Sequence, residues 1–339
     1  MTALALEPDV GERYLSLVGD GDEFGAVAVV TELIDAGVPA QRIMIDLIGA
    51  TQARVGELWA ANEWTVAREH AATATSERAL AFVASRTAVR PHRGRITIAC
   101  VDGEWHALPV RILAEMLRLD GWRVDFLGPS VPGLHLVAHL HETGPDAVAL
   151  SCMLATRLPR AHAAITACRA AGVPVIAGGR GFGPGGRYAQ RLGADAWAAH
   201  AEDAVARLAS SWPPAAGVPV LPGFPGDDEY TLVVRQRPTL ISATMSVLAA
   251  TYPAFGSYDQ HQLDATLEDI GHLVDFLAAA LYLREPQIFL DFVDWTAGVL
   301  RARGVPAPAL SAGINGVRAQ LRDFPAALAI LDAGLALIR

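Results

Sequence analysis

A glutamate and a histidine two residues apart could form a metal-binding pair in the loop 100–109. Glu104 and His106 follow the β-branched apolar run 95–101, which predicts a buried strand. They precede the run 110–119, whose apolar residues recur at helical spacing. A neutral imidazole suits a first-row transition metal, and a ligating histidine commonly donates its other N–H to a carboxylate. We therefore expect His106 to be a metal ligand and Glu104 to orient it.

Two further motifs follow this loop at fixed separations. The series is Glu104-x-His106-x-x-Pro109, then Ser151-x-Met153 after 41 residues, then Gly178-Gly179 after another 24. It resembles the cobalamin-binding fingerprint, in which Asp-x-His-x-x-Gly is followed by Ser-x-Leu and Gly-Gly. In that family the loop histidine replaces dimethylbenzimidazole as the lower cobalt ligand. The resemblance implies this role for His106 and implies that the other motif residues contact cobalamin.

Three positions depart from the fingerprint. Glu104 replaces Asp and is longer by one methylene, which alters its reach. Pro109 replaces Gly, which a first helical turn tolerates because no intrahelical N–H is lost there. Met153 replaces Leu with little change in volume. The alternative to a cobalt ligand is an ordinary loop histidine in a flavodoxin-like domain.

The segment 1–90 is predicted to be a four-helix bundle. Apolar residues at helical spacing predict helices over 22–36, 42–58 and 66–85, and the links between them are short. Thr65 is expected to cap the last of these helices. The buried face of the first is expected to include Phe24, Val27, Val30, Leu33 and Ile34.

The spacing Trp59-x9-Glu69-His70 lies in this bundle. It resembles the cap of the cobalamin-dependent photoreceptors, in which these side chains surround the adenosyl group above the corrin ring. Corrinoid methyl carriers have a similar bundle without this signature. The DNA-binding photoreceptors have a histidine directly after the tryptophan that caps cobalt after photolysis, whereas Ala60 stands here. The same bis-histidine adduct therefore cannot form from this position, and His70, water or no ligand would take the place of that histidine. A core tryptophan beside a surface Glu-His pair is the alternative interpretation.

Strands alternate with helices over 93–212. The predicted strands are 95–101, 123–127, 146–151, 173–177 and 195–199. This alternation predicts a flavodoxin-like, Rossmann-type parallel sheet. Its strand order would bring His106, Ser151 and Gly178 to one rim, where such sheets bind ligands.

The chain after the proline-rich stretch 213–228, a predicted linker, is expected to be all-α over 229–339. Its predicted helices are 239–251, 259–283, 286–303, 306–322 and 325–338. The helix 259–283 has apolar residues on two sides, which is typical of a central or pocket-lining helix.

The order of bundle, cobalamin domain and all-α domain resembles the photocobilins, in which a globin-like domain holds biliverdin. The resemblance implies a bilin in this domain, and the absence of cysteine after Cys168 means that it would be non-covalent. The second apolar side of the helix 259–283, which carries His272 and Phe276, is where we expect it to bind. Arg235 and Arg237 are candidate partners for its propionates. The alternative is a haem-globin sensor with iron on His272 or His261.

Composition narrows the classes of partner. The net charge of −9 argues against nucleic acid as the primary partner. The chain has no uninterrupted apolar run of about 18 residues, so no membrane span is expected. Three cysteines without a Cys-x-x-Cys motif suggest the reducing cytoplasm.

These features together predict a function in signalling rather than catalysis. The sequence favours a cytoplasmic light sensor in which photolysis of adenosylcobalamin changes conformation or assembly. A homo-oligomer and an unidentified downstream protein are expected. The alternative is a corrinoid carrier of a methyltransferase system.

Overall fold

The computed structural model describes residues 8–210, 212 and 228–338. The chain divides into two compact units, with the boundary after Leu221. No helix within the described stretches combines the length and the apolar character needed to cross a bilayer.

The first unit begins with a helical bundle. Its helices are α1 (Pro8–Gly19), α2 (Glu23–Asp35), α3 (Ala40–Arg42), a π-helical segment (Ile43–Gly49), α4 (Ala50–Ala60) and α5 (Val66–Arg86). Thr65 caps α5 as expected, since its hydroxyl accepts a hydrogen bond from the Arg68 backbone N–H. The segment predicted as one α-helix over 42–58 instead contains the π-helical turns, which hydrophobic spacing does not reveal.

The expected burial of Phe24 is wrong. Its side chain is 83% exposed, while Ala26, Val29 and Val30 form the buried face of α2. Phe24 lies two residues before Ala26, and two residues correspond to about 200° around a helix with 3.6 residues per turn. Its side chain is therefore on the side of α2 opposite to the buried face.

The rest of the first unit is a five-stranded parallel sheet with helices. The strands are β1 (Arg95–Val101), β2 (Arg123–Val131), β3 (Ala147–Ser151), β4 (Val175–Gly178) and β5 (Ala196–Ala198). The helices are α6 (Ala107–Leu119), α7 (Gly133–Thr143), α8 (Leu158–Ala170), α9 (Arg187–Arg191) and α10 (Ala201–Ser210). The strand order β2-β1-β3-β4-β5 confirms the Rossmann-like prediction.

Helix α6 belongs to two hydrophobic cores. Leu108, Ile112 and Met116 pack in the core of the bundle. Val110 and Leu117, on the other side of the helix, pack in the core beside the sheet. This shared helix, which starts directly after His106, joins the bundle to the α/β domain.

The second unit is all-α. Its helices are α11 (Asp228–Thr251), α12 (Gln260–Leu283), α13 (Gln287–Ala302), α14 (Ala307–Gln320) and α15 (Pro325–Leu337), with a 3₁₀ turn at Pro253–Ser257. Glu229 caps α15, because its carboxylate accepts hydrogen bonds from the Ala326 and Ala327 N–H groups at 3.0 and 2.8 Å. The first helix of the unit is thereby tied to the last.

The predicted start of the first of these helices at 239 is wrong. Helix α11 begins at Asp228 and contains Pro238 in its interior. Proline removes one backbone hydrogen bond, and the Val234 carbonyl that loses it lies on an exposed residue where water can solvate it. Arg235 and Arg237 therefore lie within α11 rather than before it, and Arg237 pairs with Asp275 of α12 at 2.6 and 2.9 Å.

Candidate functional site

Three motif-bearing strand ends lie side by side in the sheet. Cys100 of β1 is in register with Ser151 of β3, and Ser151 is in register with Gly178 of β4. The loops that follow these residues carry His106, Met153 and Gly179 and therefore leave the sheet along one edge. Parallel pairing thus assembles residues that are far apart in the sequence.

Glu104 is the centre of this edge. Its side chain is fully buried, and its two oxygens accept four hydrogen bonds. Oε1 accepts from the His106 backbone N–H at 3.0 Å and from His106 Nδ1 at 2.6 Å. Oε2 accepts from the backbone N–H groups of Met153 at 2.7 Å and Leu154 at 3.1 Å. The carboxylate therefore holds the loop after β1 against the loop after β3.

The contact with Glu104 determines the tautomer of His106 and shifts its pKa. Nδ1 donates to the carboxylate, so Nε2 carries the free lone pair, and 55% of the side chain is exposed. The hydrogen bond to Glu104 raises the pKa of His106 in spite of burial, and Arg180 opposes this increase. Burial would raise the pKa of Glu104, but the hydrogen bonds from His106 and Met153 outweigh it and lower this pKa to about 2. Glu104 therefore stays an anion that orients the imidazole.

Other contacts hold the same loop. Ser130, at the end of β2, donates its backbone N–H to the Glu104 carbonyl at 2.9 Å and accepts at Oγ from the Gly103 N–H at 3.1 Å. Gly179 has φ +101°, and a Cβ there would lie 2.4 Å from the Cys152 carbonyl oxygen, so only glycine allows this approach. Sequence reasoning found Gly179 but not Ser130, because nothing in the sequence indicates which β2 residue reaches the loop.

Three polar side chains of the bundle are linked by consecutive hydrogen bonds, which we call the polar chain. Gln52 Nε2 donates to Thr73 Oγ1 at 2.8 Å, and Thr73 donates to Glu69 Oε1 at 3.0 Å. The other Glu69 oxygen contacts Nδ1 of His70, which is mostly exposed. Glu69 is near enough to His106 to raise the pKa of the imidazole. Sequence reasoning missed Gln52 and Thr73, whose partners become neighbours only when α4 packs against α5.

The remaining predicted cap residue, Trp59, is half-buried near the end of α4, and Ala60 after it is half-buried as well. Trp105, which sequence reasoning did not single out, is 71% exposed between Glu104 and His106. A large exposed indole beside the candidate metal ligand offers an apolar surface to a flat ligand.

The predicted chromophore residues lie in the second unit and do not line its pocket. His272 is exposed, and Phe276 stacks on Phe292 with ring centroids 4.0 Å apart. The pocket of this unit has a volume of about 200 Å³ and lies against other residues of α12, including Ile270 and Leu273. His261 is also exposed and is not among the residues that line this pocket.

Comparisons with known protein families match the first unit twice. Residues 94–209 match the B12 binding domain, and residues 10–83 match a second B12 binding domain model. These matches support a cobalamin-binding protein with a helical N-terminal part and a Rossmann-like domain. They do not extend to residues 228–338.

Individual proteins are similar over somewhat more than half of the chain. The HTH-type transcriptional repressor CarA of Myxococcus xanthus is 32% identical over 194 residues, which cover 53% of this chain and 64% of the repressor. The chain thus spans just under two thirds of that relative. The trimethylamine corrinoid protein of Methanosarcina barkeri is 25% identical over 213 residues, 60% of this chain and 97% of that protein. The structure of the monomethylamine corrinoid protein of Methanosarcina barkeri superposes on 59% of this chain and 97% of that protein's chain, with a TM-score of 0.52. The two sequences are 18% identical, so this similarity shows the fold alone.

The residues at the sheet edge fit a corrinoid. His106 presents one exposed imidazole with Nε2 unused by Glu104, which suits a cobalt ion whose equatorial ligands come from the corrin ring. Pro109 lies in the first turn of α6, so it costs no helical hydrogen bond. The substitution of Glu for Asp also fits, because the longer side chain reaches the Met153 and Leu154 N–H groups.

Proposed function

We propose that this protein is a light sensor that binds adenosylcobalamin at the sheet edge, with His106 as the lower cobalt ligand. The cofactor supplies a cobalt–carbon bond that light cleaves. The proposal rests mainly on the Glu104–His106 pair, in which a buried carboxylate holds Nδ1 of a half-exposed imidazole and leaves Nε2 unused. The similarity to CarA, which is named as a transcriptional repressor, supports a regulatory protein rather than a carrier. The Trp59-x9-Glu69-His70 spacing, which resembles the cap of the cobalamin-dependent photoreceptors, supports a light sensor.

Each residue of the pair has a defined task. Glu104 keeps the proton of His106 on Nδ1, so that Nε2 remains a ligand. Four hydrogen bonds fix the carboxylate, which limits rotation of the imidazole. Glu69, held by Thr73, presents a fixed acceptor on the bundle side. Trp59 and His70 complete the proposed cap around the adenosyl group.

Helix α6 provides a route from the site to the rest of the unit. It starts after His106 and packs Leu108 and Ile112 into the bundle core. Loss of a ligand group between bundle and sheet would change how the bundle packs on α6. We propose that the signal is this shift between two packings, read out as assembly of a homo-oligomer or binding of a downstream protein in the cytoplasm. Nucleic acid is not an expected partner.

A corrinoid carrier of a methyltransferase system is the second candidate. The similarity that spans 97% of the trimethylamine corrinoid protein favours it. A carrier would bind methylcobalamin and adenosylcobalamin with comparable affinity and would not change its assembly with light. A sensor would distinguish the two forms.

Biliverdin is the proposed second chromophore, bound without a covalent bond on the side of α12 that carries His272 and Phe276. The pocket of the second unit has a volume of about 200 Å³, which is smaller than the roughly 300–1,000 Å³ of typical ligand sites. Neither His272 nor Phe276 lines it. Phe276 is stacked on Phe292, so a bilin that packs on this face of the Phe276 ring would have to separate the two rings. Biliverdin added to the full chain should give a red-absorbing complex that His272→Ala weakens, whereas unchanged bilin absorption in this variant would contradict the assignment.

The light-sensor proposal is tested by size-exclusion chromatography of the full chain. The protein is reconstituted with adenosylcobalamin in the dark and run before and after illumination, with methylcobalamin as the matched ligand. We expect a change in elution on illumination that depends on the adenosyl form and weakens in Trp59→Ala. Identical elution for both cofactors in dark and light would favour the carrier.

A further inference from the structure

Arg157 has a half-buried guanidinium with no partner among the described residues. It ends the 3₁₀ turn Ala155–Arg157, in the loop that follows the Ser151-x-Met153 motif. The side chain forms no ion pair and donates no hydrogen bond within the part of the chain that the structure describes. Its Nε is buried, whereas its two terminal nitrogens are not enclosed by protein. A half-buried cation is unfavourable unless it is paired, so an anion from outside the protein would stabilise it.

The position of Arg157 is set by the loop that carries Glu104 and His106. A Cβ on Gly103 would lie 3.3 Å from both Cζ and Nη1 of Arg157, so the guanidinium packs against this glycine. Gly103 has φ +77°, a conformation that favours glycine, and the absent side chain leaves room for the arginine. The unpaired cation therefore lies beside the candidate cobalt ligand.

Arg180 is a second arginine without a partner in the described ranges, and it lies on the neighbouring loop. It begins the 3₁₀ turn Arg180–Phe182 after β4, and its side chain is exposed. A Cβ on Gly181 would lie 3.0 Å from the Leu154 carbonyl carbon, so this turn packs against the loop after β3. The charge of Arg180 acts to lower the pKa of His106, which places it near the imidazole.

The carboxylates of this edge are already used. Asp102 pairs with Arg160 at 3.0 Å. Glu104 remains an anion, but it is buried and its two oxygens accept four hydrogen bonds. Arg157 and Arg180 therefore remain available, and a guanidinium binds a phosphate through two parallel hydrogen bonds.

The chemistry of the proposed cofactor supplies such a phosphate. Cobalamin carries one anionic side group, the phosphodiester of its nucleotide loop. Because His106 would replace the dimethylbenzimidazole base on cobalt, the nucleotide would leave the metal and need another position. The proposed cap covers the adenosyl side, so the released nucleotide would share the lower side with the loops of the sheet edge.

We propose that Arg157 and Arg180 bind the phosphodiester of cobalamin and make the site selective for cobalamin over cobinamide, which lacks the nucleotide loop. This inference rests on the proposed cobalamin site. Arg157 contributes more than Arg180, because an exposed charge is solvated by water and screened by salt.

The test is equilibrium dialysis of the full chain in the dark with three corrinoids. They are adenosylcobalamin, adenosylcobinamide, and adenosylcobinamide phosphate, which has a phosphate but no base. We expect Arg157→Gln to weaken adenosylcobalamin binding roughly 10-fold and Arg180→Gln to weaken it roughly 2- to 5-fold. Adenosylcobinamide phosphate should be affected in the same direction, whereas adenosylcobinamide should bind both variants as it binds the wild type.

Two further variants separate charge from structure. Arg123→Gln is the control, because Arg123 is exposed at the start of β2, at the opposite end of the sheet, and should leave all three affinities unchanged. Arg157→Lys keeps the charge without the planar fork and should weaken adenosylcobalamin binding less than Arg157→Gln. Since Arg157 has no partner within the described residues, Arg157→Gln should leave the urea midpoint of the cofactor-free protein unchanged.

Three results would overturn the inference. An equal loss of adenosylcobalamin and adenosylcobinamide binding in Arg157→Gln would mean that the arginine only supports the loop. Wild-type affinity for adenosylcobalamin in both glutamine variants, with retention that still depends on His106, would reject the phosphate contact and leave the proposed function intact. Failure of the wild type to bind any of the three corrinoids would reject the proposed function and this inference together.

Discussion

At the scale of single residues, Glu104 does more than its place in the fingerprint implies. The family pattern predicts a carboxylate that orients the histidine, and Glu104 makes this contact at 2.6 Å. It also accepts the Met153 and Leu154 N–H groups, which joins two loops. The sequence predicts the first contact because the two residues are neighbours. It does not predict the second, because that contact depends on the register of β1 against β3.

Glu104→Gln tests this double role. A glutamine has one acceptor oxygen, so its amide N–H₂ would face either the His106 donors or the Met153 and Leu154 donors. At least one buried N–H group would then lack a partner, at about 1–3 kcal/mol. We expect a lower free energy of unfolding in urea and weaker cobalamin binding, whereas Glu63→Gln, at an exposed position, should match the wild type. Equal stability of Glu104→Gln and wild type would show that the carboxylate is not needed to hold the loop after β1 against the loop after β3.

Thr73→Val tests the polar chain on the bundle. The substitution removes the hydroxyl that binds Glu69 and Gln52, so Glu69 loses its fixed position. We expect cobalamin to stay bound, while the preference for adenosylcobalamin over methylcobalamin falls in equilibrium dialysis. Thr31→Val is the control, because its hydroxyl bonds only to the Val27 carbonyl of its own helix. An unchanged preference would mean that Glu69 does not act on the adenosyl side.

At the scale of secondary structure, pattern reasoning succeeded where periodicity is strong and failed where tertiary contacts decide. The strands and their order followed from the βα alternation. The start of α11 did not: the helix begins at Asp228 with Pro238 inside it, and Glu229 in its first turn contacts the start of α15, which is far away in the sequence. The π-helical turns at Ile43–Gly49 were missed because their spacing resembles that of an α-helix over so short a run.

Leu108→Ala and Leu117→Ala compare the two faces of α6. Both leucines are buried, at 3% and 0% exposure, so each substitution should cost about 2–5 kcal/mol. Leu108 lies in the bundle core and Leu117 in the core beside the sheet. We expect only Leu108→Ala to speed the release of adenosylcobalamin in the dark, measured by absorbance after desalting. Equal release from both variants would contradict a coupling role for the bundle face.

Asp125 of β2 gives the sheet a pH-dependent contribution to stability. Its carboxylate contacts Arg95 of β1 at 2.6 Å and His139 of α7 at 3.2 Å. Burial would raise the pKa of Asp125, but the hydrogen bond from Arg95 outweighs it and holds this pKa below its usual value of 3.8. A depressed folded-state pKa stabilises the fold above about pH 4, and this contribution is lost as the pH falls through the folded-state value.

Asp125→Asn should therefore lower the free energy of unfolding at pH 7 and have a smaller effect near pH 3. Chemical denaturation of both proteins at the two pH values measures the difference. Asp35→Asn, in an exposed pair 4.0 Å from Arg86, should show little effect at either pH. A difference between wild type and Asp125→Asn that is equal at both pH values would show that ionisation of Asp125 contributes nothing.

At the scale of the whole molecule, the chain combines a cobalamin-binding unit and an all-α unit. The first was predictable because three motifs at fixed separations define strand ends of one sheet. The second has no motif, so the sequence could predict helices but not which face of α12 lines a pocket. His272 was chosen from a helical stripe, yet the pocket lies against Ile270 and Leu273.

The central claim is that His106 is the lower ligand of a light-sensitive adenosylcobalamin. The most direct test uses the full chain of the wild type and of His106→Ala, each reconstituted with adenosylcobalamin in the dark and then desalted. The absorption spectrum of each protein is recorded before and after illumination. We predict that the wild type retains the cofactor with the spectrum of imidazole-ligated cobalt and that light changes this spectrum. His106→Ala should bind at least roughly 10- to 100-fold more weakly and lack the imidazole-ligated form. Equal cofactor retention and identical spectra for the two proteins would contradict the claim.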